Sequence, residues 1–208
     1  MATSLTCSHL LKAHPQVWKA ATVHPFLQQC QQGTIQASQF NTWLVQDYLF
    51  VQEFTRMAAR LLAIAPTAHF DTLLSGLGAL KDELLWFEEK AKARSLSLHK
   101  PPQTTCYNYC LFMQSTAKYS YAVQSTAFWA IELAYNQGWQ LHSPMPEPYT
   151  EFADRWGNAS FTEYVKVLAH QADSALETAG ETEKQQAEQA FLEVARLEKD
   201  FWQMAFAA

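Results

Sequence analysis

Over residues 37–65 the bulky apolar side chains fall on one stripe: Phe40, Trp43, Leu44, Val51, Phe54, Ala58 and Leu61. Steps of three and four residues keep to one face of an α-helix but alternate across a strand, so the spacing predicts a long helix. Pro66 stops it, because proline cannot continue the hydrogen-bond ladder, and Ser38 is placed to cap its start. A helix with one apolar face must be covered by other elements.

The rest of the chain supplies further helices. Residues 68–92 carry Leu73, Leu77, Leu80, Leu84 and Phe87, flanked by Glu83. A loop over 95–102 closes on Pro101 and Pro102. Residues 104–118 place Cys106, Tyr109, Cys110 and Met113 on one face, and 121–140 place Val123, Phe128, Glu132, Tyr135 and Trp139. The proline-rich segment 143–148 is a short connector. Helices are expected again over 161–178, with Ser160 as cap, and over 182–206. Alternating strand patterns are missing and glycine is rare. With 208 residues, 49% of them hydrophobic, the chain reads as one all-α domain over 1–208. The expected architecture is a helical bundle, antiparallel where connectors are short.

Composition excludes several classes. The net charge is -5 and Lys and Arg are scattered, so nucleic acid is not an expected partner. No apolar run approaches the roughly 18 residues that span a bilayer. Residues 1–11 hold no charged region followed by an apolar core, and no Arg, so neither leader nor transit peptide is expected and the chain is read as cytoplasmic. The four cysteines form no CxxC, and no histidine spacing accompanies them, so they read as reduced thiols. The seven histidines show no HExxH or HxxxH. Glycine-rich phosphate loops, a GxSxG elbow and an EF-hand pattern are also missing. No metal or organic cofactor is expected.

Three acids interrupt the apolar stripes: Asp47, Glu132 and Glu198. An ionised carboxylate is costly to bury alone. Each by itself is equally compatible with a structural hydrogen bond to a neighbouring helix. Together they suggest a polar-lined pocket for a small, basic, aromatic ligand. Most of the aromatic side chains belong to the core. Tyr109 and Phe50 stand out because rings beside acids make a cage for a flat, protonatable heterocycle.

Several segments resemble the TenA/thiaminase II family of all-helical proteins in thiamin metabolism. They are His24-Pro-Phe-Leu, Gly33-Thr, Phe40-x-x-Trp43-Leu-Val-Gln-Asp47-Tyr, Tyr109, Trp156-Gly-Asn-Ala-Ser-Phe161 and Glu198-Lys-Asp-Phe-Trp202-Gln-Met-Ala. They run in family order over nearly the whole chain. The resemblance implies the TenA/haem-oxygenase-like bundle and a set of roles. Asp47 matches the acid that hydrogen-bonds an aminopyrimidine. Phe50, Tyr109 and Trp156 match pocket aromatics, the first and last usually Tyr. Glu198 matches the general acid/base. Trp129 joins the implied substrate-binding set.

One departure sets the expected subclass. Thiaminase-type members carry a nucleophilic Cys in a Pro-Cys-aromatic-Trp segment. Here the stretch is Ser125-Thr-Ala-Phe-Trp129, and Ala127 holds the Cys position. A family Tyr falls at Ile131, beside Glu132, which is read as a compensating acid. The chain thus resembles the TenA_E branch, which lacks that Cys. This implies hydrolysis of 4-amino-5-aminomethyl-2-methylpyrimidine to the hydroxymethyl pyrimidine and ammonia, with an N-formyl precursor as a further substrate. A carboxylate in such a pocket is expected to titrate high, which suits an acid. Three rival readings stay open: a non-catalytic binder of pyrimidine or thiamin fragments, a thiaminase despite the missing Cys, and a structural helical module. The resemblance also implies a homo-oligomer.

Overall fold

The computed structural model describes residues 5–208, so the start of the segment read for a leader lies outside the described residues. Ten α-helices follow in order: α1 Cys7–Ala13, α2 Pro15–Thr22, α3 Pro25–Gln32, α4 Ala37–Ile64, α5 Phe70–Ala93, α6 Thr104–Ser115, α7 Tyr121–Leu141, α8 Thr150–Trp156, α9 Ala159–Thr178 and α10 Glu181–Phe206. Among the described residues there is no strand. No helix is long and apolar enough to cross a membrane.

The long helices lie where the periodicity puts them. Two caps differ. At the head of α4 the Gln36 amide donates to Gln39 Oε1 at 3.1 Å, so the cap is a glutamine two residues earlier than Ser38. Ser38 instead points its hydroxyl at the Ala208 carbonyl, 3.4 Å away. At α9 the Asn158 side chain accepts from the Phe161 amide at 2.8 Å, and Ser160 already lies inside the helix. Asn is among the preferred capping residues, because its short side chain reaches an amide the helix leaves unused.

Helices α1 to α3 and α8 are too short to show in the apolar periodicity. Pro15 and Pro25 each open a helix, where proline's missing N–H costs nothing. Thr6 caps α1, accepting from the His9 amide at 3.1 Å. His24 Nδ1 accepts from the Phe26 amide at 3.1 Å, so the His-Pro-Phe motif is a cap, a first-turn proline and a buried ring. Gly33 ends α3 with φ 67, a left-handed conformation open to glycine.

The contacts divide into two groups of residues. One holds 1–35 and 119–200; the other holds 36–118 and 201–208. The chain of α10 runs from the first into the second.

In the first group α7 packs against α9, α2 and α8. From Ala122 to Asn136 every residue of α7 is buried, with Glu132 its single charge. A helix buried on all sides is a central one. Trp129, Phe191 and Trp18 form a three-ring stack, with centroids 6.0 and 5.1 Å apart. Trp139 stacks on Trp156 at 5.3 Å. In the second group α4 packs against α5 and α6. Of the apolar stripe on α5, Leu73, Leu80 and Phe87 are buried, while Leu77 and Leu84 are half-buried. Phe40, Trp43 and Trp202 nest together there, Trp43 lying 5.1 Å from Phe40 and 6.5 Å from Trp202. Fully burying one such ring stabilises the fold by about 1.5–3 kcal/mol.

Candidate active site

In the second group α4 and α6 carry the candidate residues. Asp47 is 0% exposed. Its neighbour Gln46 fixes the start of α6, because Gln46 Oε1 accepts from the Gln103 amide at 2.7 Å. One turn further on, the Cys106 thiol points at the Gln46 carbonyl, 3.4 Å away. Tyr109 follows, buried, with its ring 4.7 Å from that of Phe50 at 60°. Phe54 and Phe201 lie 5.8 and 5.7 Å from Phe50. Asp47, Phe50 and Tyr109 thus share one neighbourhood, a carboxylate beside an aromatic cluster.

The electrostatics of that neighbourhood show at Cys106. Its thiol is raised by the hydrogen bond with Cys110, by burial and by the Cys110 and Asp47 charges. The same thiol lies against the Gln46 carbonyl, the peptide group that joins Gln46 to Asp47.

In the first group each candidate has its own surroundings. Glu132 receives the Tyr164 hydroxyl from α9 at 3.4 Å. Burial, then the Glu132 charge and hydrogen bond, hold that phenol protonated well above its ordinary range. Trp129 stacks on Phe191, which in turn stacks on Trp18. Trp156 ends α8 with its ring at 76° to Tyr135. Asn136 holds the Trp156 carbonyl at 2.8 Å and also meets Thr162. Gly157 follows because a Cβ there would lie 2.7 Å from the Ala153 carbonyl. Glu198 is 0% exposed on α10, and Ala127 is likewise fully buried on α7.

The description of the TENA/THI-4/PQQC family matches residues 11–208. The chain belongs to that family. A soybean (Glycine max) relative called "Probable bifunctional TENA-E protein" is 35% identical over 207 residues, covering 94% of this chain and 90% of the relative. The aminopyrimidine aminohydrolase of Halalkalibacterium halodurans is 26% identical over 220 residues, covering 98% and 96%. The crystal structure of a TenA homologue from Pyrococcus furiosus superposes with a TM-score of 0.91 at 32% identity, covering 96% of this chain and 98% of that one. The all-α expectation and the family resemblance are both met.

Two neighbours of the candidate acids in this TENA/THI-4/PQQC member were not legible beforehand: Tyr164 beside Glu132 and Cys106 beside Asp47. Tyr164 lies on a different helix from its partner, and spacing along one chain segment says nothing about that. Cys106 had one usable signal, its place one turn before Tyr109 on the same face.

Proposed function

We propose that this protein is an aminopyrimidine aminohydrolase of thiamin salvage, of the TenA_E branch that works without the thiaminase cysteine. What supports this reading is that Asp47 and Glu198, which the resemblance matches to the family's two acids, are each fully buried, and that the residue it matches to the nucleophile is Ala127, also buried. The soybean and Halalkalibacterium relatives, by their names, support the same reading.

The reaction is hydrolysis at a C–N bond. Water adds to the methylene carbon of 4-amino-5-aminomethyl-2-methylpyrimidine, the bond to the amine breaks, and the hydroxymethyl pyrimidine and ammonia leave. Asp47 holds the edge formed by the exocyclic amino group and ring nitrogen. Glu198 gives a proton to the departing amine and takes one from the attacking water. Glu132 serves as a second acid/base. Phe50, Tyr109, Trp129 and Trp156 fix the ring plane and exclude water. The N-formyl derivative is deformylated first, giving formate.

Purified protein is assayed for ammonia release beside Asp47→Asn and Glu198→Gln. We expect Asp47→Asn to raise KM most and Glu198→Gln to lower kcat by about 10²–10⁴-fold. Tight pyrimidine binding with no ammonia from the wild type would replace the hydrolase with a binding protein. Undiminished release by Glu198→Gln would remove that residue from the chemistry.

A further inference from the structure

We propose that Gln46 and the Glu53–Arg60 ion pair are positioning residues, which tie α6 to α4 at both ends and so set the Tyr109 ring against Phe50. The part this plays in placing the pyrimidine rests on the function proposed above.

Beside the stripe that carries Asp47, α4 has a second one. Gln46, Phe50, Glu53, Met57 and Arg60 recur at steps of four and three, so they share a face. The first four are buried, and α4 packs against α6. A glutamine and a glutamate are thus covered among apolar neighbours, where polar groups need partners.

The partner of Gln46 is the head of α6. Gln103 opens that helix without a side-chain cap, and its amide is one the helix cannot satisfy. Gln46 Oε1 accepts it at 2.7 Å. At the other end, the Met113 carbonyl lies in the last turn of α6. It receives Arg60 Nη2 at 3.3 Å and the Thr116 hydroxyl at 2.8 Å. A cation at this end of a helix is also favoured by the dipole. The same Arg60 nitrogen meets Glu53 Oε1 at 2.8 Å, while the mostly exposed Arg56 is the lesser partner at 3.4 Å. Glu53 is 6% exposed, so Arg60 cannot swing away without leaving a buried carboxylate poorly paired.

Apolar packing does not choose the rotation of α6 by itself. Of its 12 residues, Cys106, Tyr109 and Met113 are buried. Tyr107 and Leu111 lie exposed on the other side, and a core would accept them as readily. The two polar ties are about 15 Å apart along the helix and fit one rotation. Tyr109 stands between them, as Phe50 stands between Gln46 and Glu53 on α4, and the two rings meet at 4.7 Å.

The test replaces tyrosine by 3-fluorotyrosine in the full chain and assigns the Tyr109 resonance with Tyr109→Phe. The fluorine senses the Phe50 ring, and no substrate is needed. Gln46→Met keeps the bulk and removes the acceptor. Gln103 is exposed, so water takes up its amide and the fold stays in place. Glu53→Gln combined with Arg60→Met removes both charges together and leaves neither alone. We expect the Tyr109 resonance to move in each variant and the Tyr164 resonance to stay. Ammonia release then separates placement from general loosening. Gln46→Met should lower kcat/KM about tenfold in the wild type and have no further effect once Tyr109→Leu is present. An unmoved Tyr109 resonance in both variants would overturn the proposal. So would an equal loss with and without Tyr109, which a purely structural tie would give. A wild type that releases no ammonia would remove the hydrolase reading instead, and the resonance would still decide the two ties.

Discussion

The side-chain amide of Asn136 donates to the main-chain carbonyl of Trp156 across 2.8 Å, tying the middle of α7 to the end of α8. Thr162 completes the contact, its hydroxyl 3.0 Å from the same amide nitrogen. The bond holds in place a tryptophan that the proposed function puts against the substrate. Asn136→Leu removes the donor and should cost about 1–3 kcal/mol. Urea denaturation should show a lower midpoint with an unchanged slope. An unmoved midpoint would mean that the bond makes no net contribution.

Gly157 is held to its identity by backbone on two sides. A Cβ there meets the Ala153 carbonyl at 2.7 Å and Gln140 backbone atoms at 3.1 Å. Neither is the end of a flexible side chain, so the clash is relieved by shifting helices. Gly157→Ala should cost about 1–3 kcal/mol, as overpacking elsewhere does. Thermal unfolding reads this directly, and a melting temperature equal to wild type would refute it.

Glu132 and Tyr164 can be separated by a double-mutant cycle. If the tyrosine acts only by orienting the carboxylate, Tyr164→Phe lowers kcat in the wild type but has no effect once Glu132→Gln is present. Additive losses would give Tyr164 a role of its own. No loss in either single variant would take the pair out of the reaction.

His142 makes the stability depend on pH. Burial depresses its imidazole below the ordinary 6.5, and the Nδ1–H bond to the Gly138 carbonyl only partly offsets this. On acidification the unfolded chain therefore takes up this proton before the folded one does. The contribution is whole above 6.5 and is lost as pH falls from there through the depressed value. Between about pH 7.5 and about pH 5.5 the wild type should lose more stability than His142→Asn. Equal losses would show that the buried ring is not the source.

The long helices were legible because their apolar residues repeat at the helical period and because Pro66 ends the first. The short ones were not, since a helix of seven or eight residues gives hardly two turns of pattern. Their marks were local instead: Thr6, His24, Pro15 and Pro25 at helix starts, and Gly33 at an end. Ser38 and Ser160 show the reverse limit, for a good capping residue binds only if the helix begins beside it. Asp47, Glu132 and Glu198 could be predicted buried, because each interrupts an apolar stripe. What each one faces could not be read, since Tyr164 and Cys106 reach their acids from separate helices.

The burial of α7 on all sides bears on how the protein comes apart. Its amides are covered by α2, α8 and α9, so no local fraying exposes them to solvent. Hydrogen exchange along this helix must wait for the opening of the whole surrounding unit, and its protons should be the slowest to leave. The slow core then includes Ala127 and its buried neighbours, so the exchange of their amides times the opening of the unit as a whole rather than the loosening of one helix end.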